Sequence, residues 1–120
     1  MKAIKKECKN LFQAVIVLRD PYCSFPGCGR PTEAGHHVFK RDRMGTAFDT
    51  RSGLGVCTQH HDTLQRDPLK TREIFVRRFG EALYEKLRMN SLAVVKNADM
   101  KAIKKGLIRE YQALFERAVY

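Results

Sequence analysis

No stretch of this chain approaches the roughly 18 uninterrupted apolar residues of a membrane-spanning helix, which excludes an integral α-helical membrane protein. No export signal is expected either. Met1 to Lys6 is basic, but the apolar run Ala14 to Leu18 is too short for a signal-peptide core, and Arg19, Asp20 and Pro21 follow instead of small cleavage-site residues. A cytoplasmic location with no membrane partner is therefore expected. Acidic residues are scarce, 13 against 23 lysines and arginines, for a net charge of +10. Such an excess is either dispersed in solvent or meets a polyanion that releases counterions on binding, and nucleic acid is the leading candidate. At 120 residues there is too little chain for two independent cores, so one domain over residues 1–120 is expected.

The chemistry-bearing residues are concentrated. Three of the four cysteines, Cys23, Cys28 and Cys57, share one segment with all four histidines. Without an export signal, such cysteines point to metal binding or catalysis rather than disulfides. Cys8 stands apart, spaced with Ile4, Leu11, Phe12 and Val15, and reads as a small buried hydrophobe.

Helical spacing predicts a first helix over 3–19, although the β-branched run Val15 to Leu18 would also suit a short strand. Pro21 to Pro31 carries three prolines and two glycines around two cysteines, a composition for a tight ligand-bearing turn. Short strands are expected at His36 to Phe39 and Leu54 to Cys57, joined by a basic loop, with a short helix from Gln59 or His60 to about Arg66. Residues 20–67 thus form the core and 68–119 the C-terminal helices. One apolar stripe runs from Ile74 to Leu87 past a kink at Gly80, and a second holds Ile103, Leu107, Tyr111, Leu114 and Ala118. Asn97 to Asp99 is the N-cap region of the last helix. The hexapeptide MKAIKK occurs twice, at Met1 to Lys6 and Met100 to Lys105, as two lysine-rich helix starts.

Structural zinc needs four nitrogen or sulfur ligands, commonly as two close pairs, and Cys23-x4-Cys28 with Cys57-x2-His60 meets that need. His36, His37 and His61 are left over. Neighbours on a strand face opposite ways, so His36 and His37 cannot share one job. One could bind a metal while the other acts as a base; alternatively, these histidines are polar packing residues or members of the zinc set, with His61 replacing His60.

The run Cys23-SFPG-Cys28-GRPTEAG-His36-His37, followed by Leu54-GV-Cys57-TQ-His60-His61, resembles the HNH endonucleases of the ββα-metal (His-Me finger) superfamily. It is particularly similar to small phage and prophage members, the group that includes Ref-like nucleases. The resemblance covers roughly residues 19 to 68. It implies an α+β fold, a zinc-stapled ββα-metal core with flanking helices at both ends, in a bacterial or phage-infected cell. It also implies that His37 is the general base, that His36 and His61 hold a catalytic Mg²⁺, Mn²⁺, Ni²⁺ or Zn²⁺, and that Cys23, Cys28, Cys57 and His60 hold the zinc.

Two positions depart from that pattern. Ser52 stands where the superfamily has an Asn that braces the loop carrying the base, and Gln65 stands where many relatives place a further metal-binding His, offering a neutral oxygen ligand instead. Lys40, Arg41, Arg43, Arg51 and Arg66 are the candidate DNA-backbone contacts, since arginine forks suit phosphate oxygens. Gly45, Gly53 and Gly55 are expected to let the backbone turn or approach DNA closely. The implied activity is metal-dependent hydrolysis of DNA phosphodiesters. The alternatives are an inactive zinc-stabilised nucleic-acid-binding module, or an accessory protein that docks a recombination or packaging partner through Tyr111, Leu114 and Phe115.

Overall fold

The computed structural model describes the backbone of residues 2–119 and the side chains of residues 3–117. Met1 and the side chains of Lys2 and Ala118, which belong to the repeated hexapeptide and the last stripe, lie outside the described residues. The fold is α+β, with five helices and a two-stranded antiparallel sheet among the described residues. None of these helices is long and apolar enough to cross a membrane.

Helix α1 (Lys2–Arg19) runs straight through Val15 to Leu18. The helical option wins there because it buries Val15 and Ile16 on the same face as Cys8 and Phe12. Strands β1 (Ala34–His37) and β2 (Gly53–Val56) pair from Ala34↔Val56 to His37↔Gly53. Pairing therefore starts two residues earlier than expected at β1, directly out of the cysteine turn, and Val38 and Phe39 leave the strand to pack on the core. A single 3-10 turn at Thr50–Ser52 leads into β2.

Helix α2 (Thr58–Gln65) begins at Cys57, whose sulfur accepts the His60 N–H as an N-cap. Helix α3 (Pro68–Phe79) has Pro68 in its first turn and Asp67 as its cap, with the carboxylate accepting the Lys70 N–H at 3.0 Å. The stripe expected as one kinked helix is two: Gly80 takes a φ of 93°, ending α3 and starting α4 (Glu81–Leu92). Only glycine reaches that conformation cheaply. Helix α5 (Met100–Val119) is capped by Asp99, which accepts the Ala102 N–H at 3.0 Å.

Helix α1 lies on the sheet and against α5. A Cβ at Gly53 would meet Ile16 at 2.7 Å, and one at Gly55 would meet the Asp20 Cβ at 2.5 Å. These glycines admit α1: of the backbone turn or close approach to DNA that the sequence suggested, the approach observed is to Ile16 and Asp20. Gly45 is likewise closed off, by the Asn90 carbonyl of α4. A core of Leu54, Val56, Leu64, Ile74, Phe75 and Leu87 joins the sheet to α2, α3 and α4.

Asp20, buried at the end of α1, ties these parts together. Its carboxylate accepts from Arg19 at 2.8 and 2.9 Å, from Arg78 at 2.6 and 2.9 Å and from the Gly55 N–H at 2.8 Å, while Arg19 also donates to the Thr50 and Gly53 carbonyls. Burial alone would raise its pKa, but the bonds from Arg19 and Arg78 outweigh it and hold the carboxyl at about 2. Because the folded value lies below the ordinary 3.8, this stability is present above about pH 4 and is lost as pH falls towards 2. Asp20→Asn is expected to cost roughly 2 kcal/mol at pH 7 by urea denaturation, with the gap from wild type closing on acidification. An equal urea midpoint at neutral pH would remove Asp20 as a stabilising hub.

Candidate metal and nucleic-acid site

The turn at 21–31 is closed by the Cys23 N–H donating to the Arg30 carbonyl at 2.8 Å and by an isolated bridge between Tyr22 and Pro31. It presents Cys23 and Cys28 to Cys57 and His60 at the start of α2. The four ligand atoms all lie within 4.8 Å of one another, and all four cysteines of the chain are free thiols. The cluster fits a tetrahedral zinc. Zn–S and Zn–N bonds of about 2.3 and 2.0 Å imply S···S edges near ~3.8 Å and S···N edges near ~3.6 Å. Cys28 Sγ lies 3.9 Å from Cys57 Sγ, and His60 Nδ1 lies 3.5 and 3.3 Å from the sulfurs of Cys23 and Cys57.

His60, stacked on Phe25 at 4.0 Å, is the histidine that faces the thiols, and His61 points elsewhere. Burial pushes the Cys23 thiol up to about 11. Burial acts the same way on Cys57, but the His60 N–H at the helix start and the neighbouring thiols bring it below its ordinary value. This cluster could therefore hold a structural metal such as zinc.

The remaining three histidines converge on a different place, a cleft of about 1260 Å³. The rings of His36 and His61 meet edge-on, with centroids 5.5 Å apart and planes at 73°. Thr71 Oγ1 donates its single proton towards the Leu64 and Asp67 carbonyls, both at 3.1 Å, so at 3.2 Å it accepts from His36 Nε2–H. That bond leaves the lone pair of His36 on Nδ1. Burial, helped by the neighbouring His61 and His37, drops His36 to about 4, so the ring is neutral. His61 is also lowered, by burial. Gln65, one turn on, reaches His61 Nε2 at 3.4 Å.

His37 takes different partners, as strand alternation requires. Its ring stacks on Phe12 of α1 at 4.4 Å and 9°, and its Nε2–H donates to the Ala47 carbonyl at 3.0 Å. A carbonyl can only accept, so Nδ1 carries the lone pair. Burial pushes His37 below the ordinary imidazole value, the Ala47 bond opposes this, and the charges of Arg41 and then of His61 and Lys9 add to it. The loop that supplies Ala47 is braced by Ser52, whose buried hydroxyl lies 2.9 Å from the Thr46 carbonyl and 2.7 Å from that of Asp49.

Of the candidate backbone contacts, Lys40, Arg41 and Arg43 line the cleft and Arg51 and Arg66 do not. Arg51 is held by the Asp49 carboxylate at 2.8 and 3.0 Å, and Arg66 reaches Asp62 one turn back along α2 at 3.3 Å. Both make local ion pairs outside the cleft lining. Sequence reasoning missed Thr71, Phe12 and the Ala47 carbonyl behind the histidines, and Lys5, Lys9 and Arg88 in the cleft. Thr71 carried a readable signal, a polar residue three and four positions before Ile74 and Phe75 on the buried stripe of α3. Ala47 carried none, because a backbone carbonyl leaves no mark on residue type. No family model, curated protein or solved structure matches this chain.

Proposed function

We propose that this chain is a metal-dependent endonuclease of the HNH, ββα-metal type that hydrolyses phosphodiester bonds in DNA and belongs to a phage or prophage. On this reading β1, β2 and α2 form the ββα unit, and the Cys23, Cys28, Cys57 and His60 cluster is its zinc staple. The observation that carries it is the separation of two histidine sets. One ring joins three thiols, while three rings meet in a cationic cleft, the tautomers of His36 and His37 set by Thr71 and the Ala47 carbonyl.

His36 and His61 would hold the catalytic divalent ion, which when bound supplies charge stabilisation at the scissile phosphate and the leaving oxygen. His37 is the base: its free Nδ1 accepts a proton from the attacking water, and the Ala47 carbonyl on the opposite nitrogen favours the imidazolium that results. Ser52 does here what the superfamily's Asn does, fixing the loop behind that carbonyl. Lys40, Arg41 and Arg43 hold phosphate oxygens. Thr71 orients His36 from behind, the usual arrangement for a metal-binding imidazole.

One observation favours the inactive binding module instead. Gln65, beside His61, supplies a neutral amide where a third imidazole would bind the ion more strongly. His61→Ala tests the ion site. It should raise the metal concentration needed for half-maximal plasmid nicking more than about tenfold, since even residues behind metal ligands are worth 10–100-fold in affinity. An unchanged requirement would take His61 away from the ion.

A further inference from the structure

We propose that the N-terminal half of α1 is a second phosphate-binding wall of the cleft, gripping the nucleic-acid backbone through Lys5 and Lys9 opposite the cations of the loop between the strands. This rests on the nuclease reading for the identity of the polyanion. Lys5 and Lys9 line the same cleft as His36, His37 and His61, although they lie 27 to 56 residues from them in sequence. Six cations line it against one carboxylate, Asp42.

Charge alone would not distinguish this wall from a solvated helix face, but its place in the histidine cleft does. Among the described residues Lys5, Lys9, Lys40, Arg41 and Arg43 have no ion-pair partner, and of the six cleft cations Arg88 is held by Glu85. Lys6, Arg30, Lys86, Lys96 and Lys105 are likewise unpaired but lie outside the cleft, so what marks the five is that two separate elements bring them to the histidines. Lys9 and Arg41, from separate elements, both stand near enough to His37 for their charges to act on its ring. At a separation of four residues, Lys5 and Lys9 share one helical face about 6 Å apart and so can meet neighbouring phosphates of one strand.

The repeated hexapeptide provides the comparison within the molecule. Its second copy opens α5, where Lys104 pairs with Glu7 and, with Lys101, lines a separate pocket that also holds Asp99. Of the first copy Lys5 lines the cleft, while Ala3 and Ile4 line that separate pocket beside the second copy.

The test is salt-dependent binding of a labelled DNA duplex and of its separated strand, followed by fluorescence anisotropy with no divalent ion added. The full chain carries His37→Ala so that nothing is cut. Lys5→Gln/Lys9→Gln should reduce the log–log salt slope by about 2, roughly 1 per lost phosphate contact, while Lys101→Gln/Lys105→Gln, with the same charge loss, leaves it near the parent value. Loss with either form of DNA supports the wall and identifies the form it takes. Equal effects of the two double variants, no effect of the first, or no binding by the parent overturns it. A wild-type chain that shows the lysine dependence but cleaves nothing keeps the wall and loses the nuclease; one that cleaves with an unchanged slope does the reverse.

Discussion

His37→Ala is expected to lower DNA cleavage by roughly 10²–10⁴-fold, the usual worth of a positioned general base, while bound zinc stays at the wild-type level. The argument is geometric. The Nε2–H of His37 is committed to the Ala47 carbonyl and its ring is clamped on Phe12, so a single nitrogen, Nδ1, is free to take a proton. Lowered basicity keeps that nitrogen unprotonated at neutral pH. Losing the half-buried ring removes a stacking contact of about 1 kcal/mol, which the fold can absorb. His37→Gln separates the two effects, because its amide can still donate to Ala47 but cannot act as a base. Both variants should be equally inactive. Full turnover by either, measured as nicking of supercoiled plasmid, would dismiss His37 as the base.

Cys57→Ser is expected to remove most of the bound zinc and to lower the melting temperature by more than about 10 °C, a loss of a few kcal/mol in a chain of this size. Cys57 is fully buried between the end of β2 and the start of α2, where its sulfur also caps the helix. Its sulfur lies close to Cys28 and His60 and within 4.8 Å of the Cys23 sulfur, so its loss removes one vertex of the tetrahedron and the three edges that meet there. The two strands have only four residues each, and so small a sheet supplies little core of its own. Helix α2 also carries His61, so nicking should fall with the zinc. Elemental analysis decides the matter: zinc retained at the wild-type level would contradict the ligand assignment.

How much of this was readable in the sequence depends on which physical signal each feature leaves. The three thiols of the ligand cluster were readable because cysteine is rare and ligand spacing is imposed by a tetrahedron, so Cys23, Cys28 and Cys57 could be picked out from residue type; the choice between His60 and His61 stayed open until the structure placed His60 with the thiols. Helix α1 was legible from its stripe of Ile4, Cys8, Phe12 and Val15, except that the β-branched run Val15 to Leu18 suited a strand as well until burial decided it. The strands were displaced by a residue or two because Val38 and Phe39 have strand-like side chains but are used as core packing outside the ladder. For Gly53 and Gly55 the sequence offered a turn or a close approach to DNA, since it tells that room is needed and not by what; Ile16 and Asp20 fill it. Arg51 and Arg66 looked like phosphate ligands until their carboxylate partners, Asp49 and Asp62, were located. Lys5 and Lys9 were passed over because nothing local links α1 to a cleft built thirty residues later.

Incubation of the purified wild-type chain with supercoiled plasmid in Mg²⁺, Mn²⁺, Ni²⁺ or Zn²⁺, beside a sample without added ion, tests the nuclease reading most directly. The account predicts nicked and linear product that requires one of these ions and is missing when none is added. Intact plasmid and intact single-stranded DNA with every ion, from a protein that carries one zinc per chain, would contradict it.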